Sequence, residues 1–247
     1  MVLDALISSS HQRAAALPDT FPGDLFPVRS LKRALLSRSP AVIGEVKYAS
    51  PGGPTGATLP PGRLAAAMAA GGAVAISVLT EPTVFAGDPS FIGEVRRHVT
   101  LPILRKDILV HPRQIRESRA LGADAVLLIA SILGDDLPAC VDCAIECGLE
   151  PLVEVFSAGE AEDAIATQAA LIGINNRNLR TLQIDLGSSA RIAPAIRAAG
   201  KIPIAMSGIS TPAEVEEAMK TCMGVLIGTS IASAADPREA TEVFACM

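Results

Sequence analysis

Val42-Ile43-Gly44-Glu45-Val46-Lys47 is an apolar run that ends on charge, and three other stretches repeat its design: Leu101-Pro102-Ile103-Leu104-Arg105-Lys106-Asp107, Pro151-Leu152-Val153-Glu154-Val155 and Leu171-Ile172-Gly173-Ile174-Asn175-Asn176. Strands buried on both faces read as near-continuous apolar runs. In a closed barrel of parallel strands the active site is assembled at the C-terminal strand ends, from residues far apart in sequence. Here those ends carry carboxylates, lysines and an amide, so the chain reads as an enzyme.

Outward from these four runs, strands are expected over 41–47, 73–79, 101–105, 124–130, 150–155, 171–175, 202–206 and 223–228. Each is followed by a helical stretch: 61–70, 88–98, 111–121, 135–147, 158–168, 187–199, 211–221 and 236–245. Asp88-Pro89 and Ser210-Thr211-Pro212 supply plausible caps with Pro near the first helical turn. Eight β-then-α units predict an α/β fold of the (β/α)8 TIM-barrel class. A doubly wound open sheet fits less well, because no GxGxxG run follows the first strand. Gly52-Gly53-Pro54-Thr55-Gly56 lacks a Walker lysine and reads as a mobile loop after strand 1. Residues 1–40, with helix-like patches at 2–16 and 30–38 and with Pro18, Pro22 and Pro27, form an N-terminal extension to a single barrel domain over 41–247.

The chain's 247 residues suit one such domain, and 49% hydrophobic against 19% charged residues excludes a disordered protein. A net charge of −5 with no basic run argues against nucleic acid as a partner. Mean hydropathy is +0.40, yet no apolar stretch approaches the ~20 residues that span a bilayer. Met1-Val2-Leu3-Asp4 lacks a basic n-region, so no signal peptide is expected and a cytoplasmic location is the default. An odd cysteine count of 5 fits reduced thiols. Cys140, Cys143 and Cys147 share one helix face, and with no second ligand cluster they read as small apolar residues rather than a metal site. His11, His98 and His111 fall outside the strand ends and read as surface or capping residues.

Two constellations carry chemistry. Ser207-Gly208-Ile209 ends strand 7 and Gly228-Thr229-Ser230 ends strand 8, the loops where many barrels bind phosphate through backbone N–H groups. Either motif alone could be an ordinary turn; paired on consecutive strands, they favour phosphate. Glu45, Lys47, Lys106 and Glu154 form the second group, and such residues are rarely buried unless paired. They could be tuned for proton transfer in a confined mouth, or form a structural ring of ion pairs at the rim. Asn175 could orient a substrate hydroxyl or carboxylate, while Asn176 points the other way and could simply satisfy its loop.

Taken together, Glu45-x-Lys47-x-x-Ser50-Pro51, Ser77-Val78-Leu79-Thr80-Glu81 with Phe85-x-Gly87, and Leu104-Arg105-Lys106-Asp107 resemble the indole-3-glycerol phosphate synthase family. The resemblance continues through Leu152-Val153-Glu154-Val155, Gly173-Ile174-Asn175-Asn176-Arg177-Asn178-Leu179, Ser207-Gly208-Ile209 and Leu226-Ile227-Gly228-Thr229-Ser230, in the right order over about 40–232. It implies closure of the indole ring of 1-(2-carboxyphenylamino)-1-deoxyribulose 5-phosphate in tryptophan biosynthesis, with loss of carbon dioxide and water. By resemblance, Lys106 is the general acid, Glu154 stabilises the cationic intermediate, Lys47 meets the substrate carboxylate and Glu45 is its partner base. Asn175 and Arg177 position substrate, and Ser50, Ser207, Gly208, Gly228 and Thr229 hold the phosphate. No metal or organic cofactor is implied, nor any partner beyond the phosphorylated small molecule and transient contact with neighbouring pathway enzymes.

Three departures stand out. Met206-Ser207-Gly208-Ile209 replaces the family's Glu-Ser-Gly-Ile, which removes a carboxylate. Lys106-Asp107-Ile108 replaces Lys-Asp-Phe, and Ser50-Pro51-Gly52-Gly53-Pro54 replaces a Ser-Pro-Ser loop. The readings thus opened are a synthase with altered rate, a paralogue acting on another sugar-phosphate adduct, and a catalytically silent phosphate-binding barrel.

Overall fold

Eight strands form the barrel of the computed structural model: β1 Val42–Val46, β2 Ala75–Leu79, β3 Ile103–Lys106, β4 Ala125–Ile129, β5 Glu150–Val155, β6 Leu171–Asn175, β7 Ile202–Met206 and β8 Gly224–Ile227. Residues 2–21, 26–178, 181 and 183–246 are described; Leu179 of the family motif and Pro22 lie outside them. Each strand pairs in parallel with its sequence neighbours, and β8 pairs with β1, so the sheet closes. The (β/α)8 expectation holds. β3 starts only after Pro102, which has no N–H to give a ladder, and it runs on through Lys106.

Closure fixes which way each side chain points, because alternate residues face opposite sides of a sheet. Ile43, Leu104, Leu127, Leu152, Leu171 and Ile204 fill the barrel. Val42, Ile76, Val126, Val153, Ile172 and Val225 face the surrounding helices. Full burial of each such side chain is worth roughly 1.5–3 kcal/mol.

The helices differ from expectation in three places. The stretch over 135–147 becomes a single 3-10 turn, Gly134–Asp136, and then α7 Leu137–Glu146, preceded by a short α6 Ala130–Leu133. Gly134 at φ 52 ends the first piece, and Pro138 suits the first turn of the next. A second short helix, α11 Thr229–Ala232, follows β8 and is too brief for periodicity to reveal. Of the three cysteines, only Cys140 is buried. Cys143 sits half-buried and Cys147 caps the helix, so the expected buried cysteine face is only partial. Burial pushes the Cys140 and Cys143 thiols up to about 11, which keeps them protonated and inert. His111 caps α5 Pro112–Leu121 by accepting from Arg113 N–H, as its position suggested. No described helix is long and apolar enough to cross a membrane.

The N-terminal extension straps one side of the barrel from mouth to floor. At the top, α1 Val2–Ala16 sends the Ser10 hydroxyl to Ile108 O and the Arg13 guanidinium to Asp107. Lower down, Asp19 pairs with Arg113 at 2.7 Å, and Phe26 O accepts from Arg119 at 2.7 Å. At the floor, α2 Leu31–Leu36 inserts Leu31 and Leu35 into the barrel's interior cluster. Asp124, at the entry to β4, is fully buried and accepts from Arg29 N–H and Ile103 N–H at 2.8 Å and from Arg96 at 2.7 Å. Replacing Asp124 by Ala leaves the Arg96 guanidinium buried without its counter-charge. The expected loss is about 3–5 kcal/mol, read as a lower urea midpoint, with the mouth chemistry of the folded fraction unchanged.

Candidate active site

The same alternation that fills the barrel delivers the charged strand ends into its C-terminal mouth. Glu45 follows Ile43 inward, Lys106 follows Leu104, Glu154 follows Leu152, and Asn175 follows Leu171 and Gly173. The ladder sets Glu45 beside Ser77, Lys106 beside Leu79, Glu154 beside Gly173 and Asn175 beside Met206. Glu45 and Glu154 are each 3% exposed, and Lys47 and Lys106 are half-buried.

Each carboxylate is half-satisfied. Glu154 Oε1 accepts from Asn175 Nδ2 at 2.9 Å, and Asn175 Oδ1 is held in turn by Arg177 N–H at 2.9 Å. Glu45 Oε1 lies 3.5 Å from Lys47 Nζ. Glu45 Oε2, Glu154 Oε2 and the Ser77 hydroxyl are buried without a hydrogen-bond partner among the described residues. Native proteins rarely leave buried polar atoms so, and three of them here line one cavity mouth. Lys106 Nζ likewise makes no hydrogen bond or ion pair with a described residue. Lys47 Nζ also stands 5.7 Å from the centre of the Phe85 ring, a cation–π contact.

The two loops expected to hold phosphate lie side by side. Ser207 at φ 66 and Gly208 at φ 83 are both left-handed, a conformation that glycine adopts freely and serine does not. The Ser230 hydroxyl reaches Ile209 O at 3.3 Å and ties the β8 loop to the β7 loop. A Cβ at Gly228 would meet Glu45 Oε1 at 2.4 Å, so any side chain there has to move that carboxylate. Thr229 is exposed at the start of α11. Ser50 is engaged within its own segment. The glycine-rich segment folds as a short hairpin, Ala49–Ser50 against Gly53–Pro54, and the Ser50 hydroxyl is spent on Gly53 O at 3.3 Å. Asn176 serves the loop alone: its Nδ2 donates to Ser207 O at 3.2 Å and its Oδ1 accepts from the Ser189 hydroxyl at 2.7 Å.

Sequence reading passed over three contributors. Ser77 lay in a quoted motif, and its parity with Ala75 would have placed it inside. Glu81 is 1% exposed, and its carboxylate collects Thr83, Val84 and Phe85 N–H groups at 2.9, 2.8 and 3.2 Å, which holds the Phe85 loop over Lys47. Asp107 receives Arg13 at 2.8 and 3.0 Å, Thr80 Oγ1 at 2.7 Å and Arg105 at 3.0 Å. Burial opposes its ionisation, but the Arg13 hydrogen bonds and the Arg105 and Arg13 charges outweigh burial and hold its carboxyl below the usual range.

The departures also find places. Met206 is 1% exposed and lies across Gly173, where a Cβ would come 2.6 Å from its terminal methyl. It fills the barrel as an apolar residue and brings no charge to the mouth. Ile108 joins the apolar cluster that includes Ile129, with Val84, Phe85 and Val110 packed against it.

Closed parallel barrel, acid–base groups at its C-terminal mouth and a glycine cradle on its last two loops together define a (β/α)8 enzyme for a small phosphorylated substrate. Comparison with known proteins is narrower. The indole-3-glycerol phosphate synthase family model matches residues 10–244, and the chain belongs to that family. It is 42% identical over 222 residues to the indole-3-glycerol phosphate synthase of Carboxydothermus hydrogenoformans, covering 87% of this chain and 84% of that one. With that of Methanopyrus kandleri it shares 39% over 250 residues, covering 96% and 95%. Among solved structures, a thiamine phosphate pyrophosphorylase from Pyrococcus furiosus superposes with TM-score 0.62 at 18% identity, covering 87% of this chain and 96% of that one, a likeness of fold alone. The activity is accordingly the family's: a carbon–carbon lyase that closes the indole ring of 1-(2-carboxyphenylamino)-1-deoxyribulose 5-phosphate in tryptophan biosynthesis.

Two outcomes are expected. In Gly228→Ala the new methyl displaces Glu45, and turnover falls at least about tenfold while the far-UV spectrum is unchanged, given how steeply rate depends on placement. Because the folded pKa of Asp107 lies below its unfolded value of about 3.9, its contribution to stability is complete above that pH and lost as pH falls through the folded value. Denaturant unfolding followed below pH ~4 should therefore show a shallower acid slope in Asp107→Asn than in the parent.

Proposed function

We propose that Lys106 is the general acid of the ring closure and that Glu154, Lys47, Glu45 and Asn175 complete the machinery. The observation that carries this reading is the set of groups in the mouth left without partners: the Lys106 ammonium, Glu154 Oε2 and Glu45 Oε2. A structural ring of ion pairs would satisfy those groups among themselves, whereas a site that completes its hydrogen bonds with substrate leaves them open.

In the first step the aryl carbon bonds to the carbonyl carbon of the sugar chain, and Lys106 gives its proton to the carbonyl oxygen. The electron pair drawn from the ring leaves a cation that the Glu154 carboxylate faces, with Asn175 fixing that carboxylate's direction. The carboxylate carbon then departs as carbon dioxide, and its bonding pair restores the aromatic ring. Lys47, set to meet the substrate carboxylate, afterwards supplies the proton with which the hydroxyl leaves as water. Glu45, 3.5 Å from Lys47, takes the proton that opens the way to the new double bond. Arg177 positions substrate, and the loops of Ser207, Gly208, Gly228 and Thr229 hold the phosphate end. Ser50 contributes there only by giving up its bond to Gly53 O.

Met206 and Ile108 alter the lining and leave these groups in place, which supports a synthase with a tuned rate over a barrel that has lost its chemistry. The 1–40 extension and the 41–247 barrel act as one unit. The enzyme works in the cytoplasm without nucleic acid or membrane, and it meets neighbouring pathway enzymes only in passing.

Turnover is read directly as indole fluorescence, against which a chain with no Trp contributes little. Lys106→Ala is expected to lower kcat by roughly 10²–10⁴-fold, the range of a general acid, with KM changed little. Retention of kcat within threefold would remove Lys106 from its role.

A further inference from the structure

Lys106 ends β3, and its flexible stem cannot by itself set where the ammonium stands. The backbone that carries it has to be fixed from outside the barrel. Both neighbours, Arg105 and Asp107, point away from the mouth and are buried, at 0% and 2% exposure. Arg105 reaches Glu117 at 2.7 Å, Ser118 Oγ at 3.1 Å and Thr80 Oγ1 at 3.1 Å. Asp107 is the hub of the group. Its Oδ1 accepts from Arg13 at 2.8 Å and from Ile108 N–H at 2.8 Å; its Oδ2 accepts from Arg13 at 3.0 Å, Thr80 Oγ1 at 2.7 Å and Arg105 at 3.0 Å.

We propose that Arg13 of α1, acting through Asp107, is a positioning residue for the Lys106 proton donor. The inference rests on the Lys106 assignment above and deepens it. Three features carry it. Thr80, Arg105 and Ile108 are near neighbours of Asp107 in the barrel wall, so among the described residues Arg13 supplies the only side-chain charge that reaches Asp107 from the extension. Arg105 divides its guanidinium between Asp107 and Glu117, so without Arg13 the two acids share one buried cation. The same helix also grips the next residue: the Ser10 hydroxyl donates to Ile108 O, and Gln114 Nε2 donates to Ser10 Oγ at 2.9 Å. The extension therefore holds the two residues that follow Lys106, from the outer face of the barrel wall. A bidentate arginine–carboxylate pair fixes geometry as well as charge, and an ångström of misplacement at a reacting group can cost ~10²-fold in rate.

The test is a single-turnover measurement with enzyme in saturating excess over 1-(2-carboxyphenylamino)-1-deoxyribulose 5-phosphate, on the full chain. The first-order rate constant so obtained is independent of the fraction of enzyme that is folded, and product release does not mask it. Arg13→Ala is expected to lower that constant about tenfold, with the enzyme concentration that gives half of the limiting rate moved less than twofold, consistent with lost placement rather than lost binding. Arg13→Lys, which keeps the charge and one contact, should recover most of it. Arg113→Ala, which cuts the Asp19 tether of the same extension, should leave it unchanged. A fall smaller than threefold in Arg13→Ala, or an equal fall in Arg113→Ala, overturns the proposal. If Arg13→Ala does not fold, Arg13→Gln decides by the same threefold limit. Lys106→Ala is run alongside: if it keeps its rate, the acid assignment itself has failed. Loss in Lys106→Ala with no change in Arg13→Ala refutes only the positioning role.

Discussion

Closure of the sheet is the constraint on which everything else in this protein depends. Once β8 pairs with β1, no strand can slip by one residue without turning every side chain of that strand through the barrel wall. Parity then assigns each residue to the interior or to the helix face. It sends Glu45, Lys106, Glu154 and Asn175 to one mouth, and it sends Arg105 and Asp107 outward into the packing beneath α5. Adjacent residues of one short run, Arg105-Lys106-Asp107, thus do opposite kinds of work. The flanking charges are buried and matched, and the central lysine is left open.

That contrast extends to the whole molecule. Buried charges on the outer side of the wall are paired closely: Arg96 with Asp124 near the floor, Arg105 with Asp107 and Glu117 near the mouth. Buried charges inside are only half-paired, with a free oxygen on each of two glutamates. Leaving such atoms without partners costs stability, and the cost is concentrated at the barrel's C-terminal mouth. The N-terminal strap touches the outer, matched network at both ends, through Arg13 at the mouth and Arg29 at the floor. It therefore contributes to the barrel's rigidity without entering the chemistry.

Met206 shows how far the site tolerates change. Its position in the register, opposite Asn175, is fixed by the ladder, so a carboxylate there would have faced the same mouth. The methionine instead lies over Gly173, where a Cβ would come 2.6 Å from its terminal methyl and force the side chain to shift. Its flexible thioether fills an irregular gap at little strain. The exchange removes a charge from the lining and leaves both lysines, both glutamates and the amide where they were.

The sequence by itself determined the barrel. Eight apolar runs alternating with helical stretches admit little else, because strands buried on both sides must be apolar along their whole length. It also marked the residues to ask about, since charge at the end of such a run is costly unless it is paired or used; Glu45, Lys106, Glu154 and Asn175 were legible as candidates for that reason. Only the tertiary structure decided the rest. Ser77 carries no charge and looks like any small strand residue until closure leaves its hydroxyl unpartnered inside. Asp107 and Arg13 stand 94 positions apart, and no local pattern relates them. Ser50, legible as a phosphate ligand from its motif, is engaged in a hairpin bond that no motif specifies. Periodicity reports what one segment buries, and it is silent on which distant segment completes a hydrogen bond. That depends on how the chain closes in space.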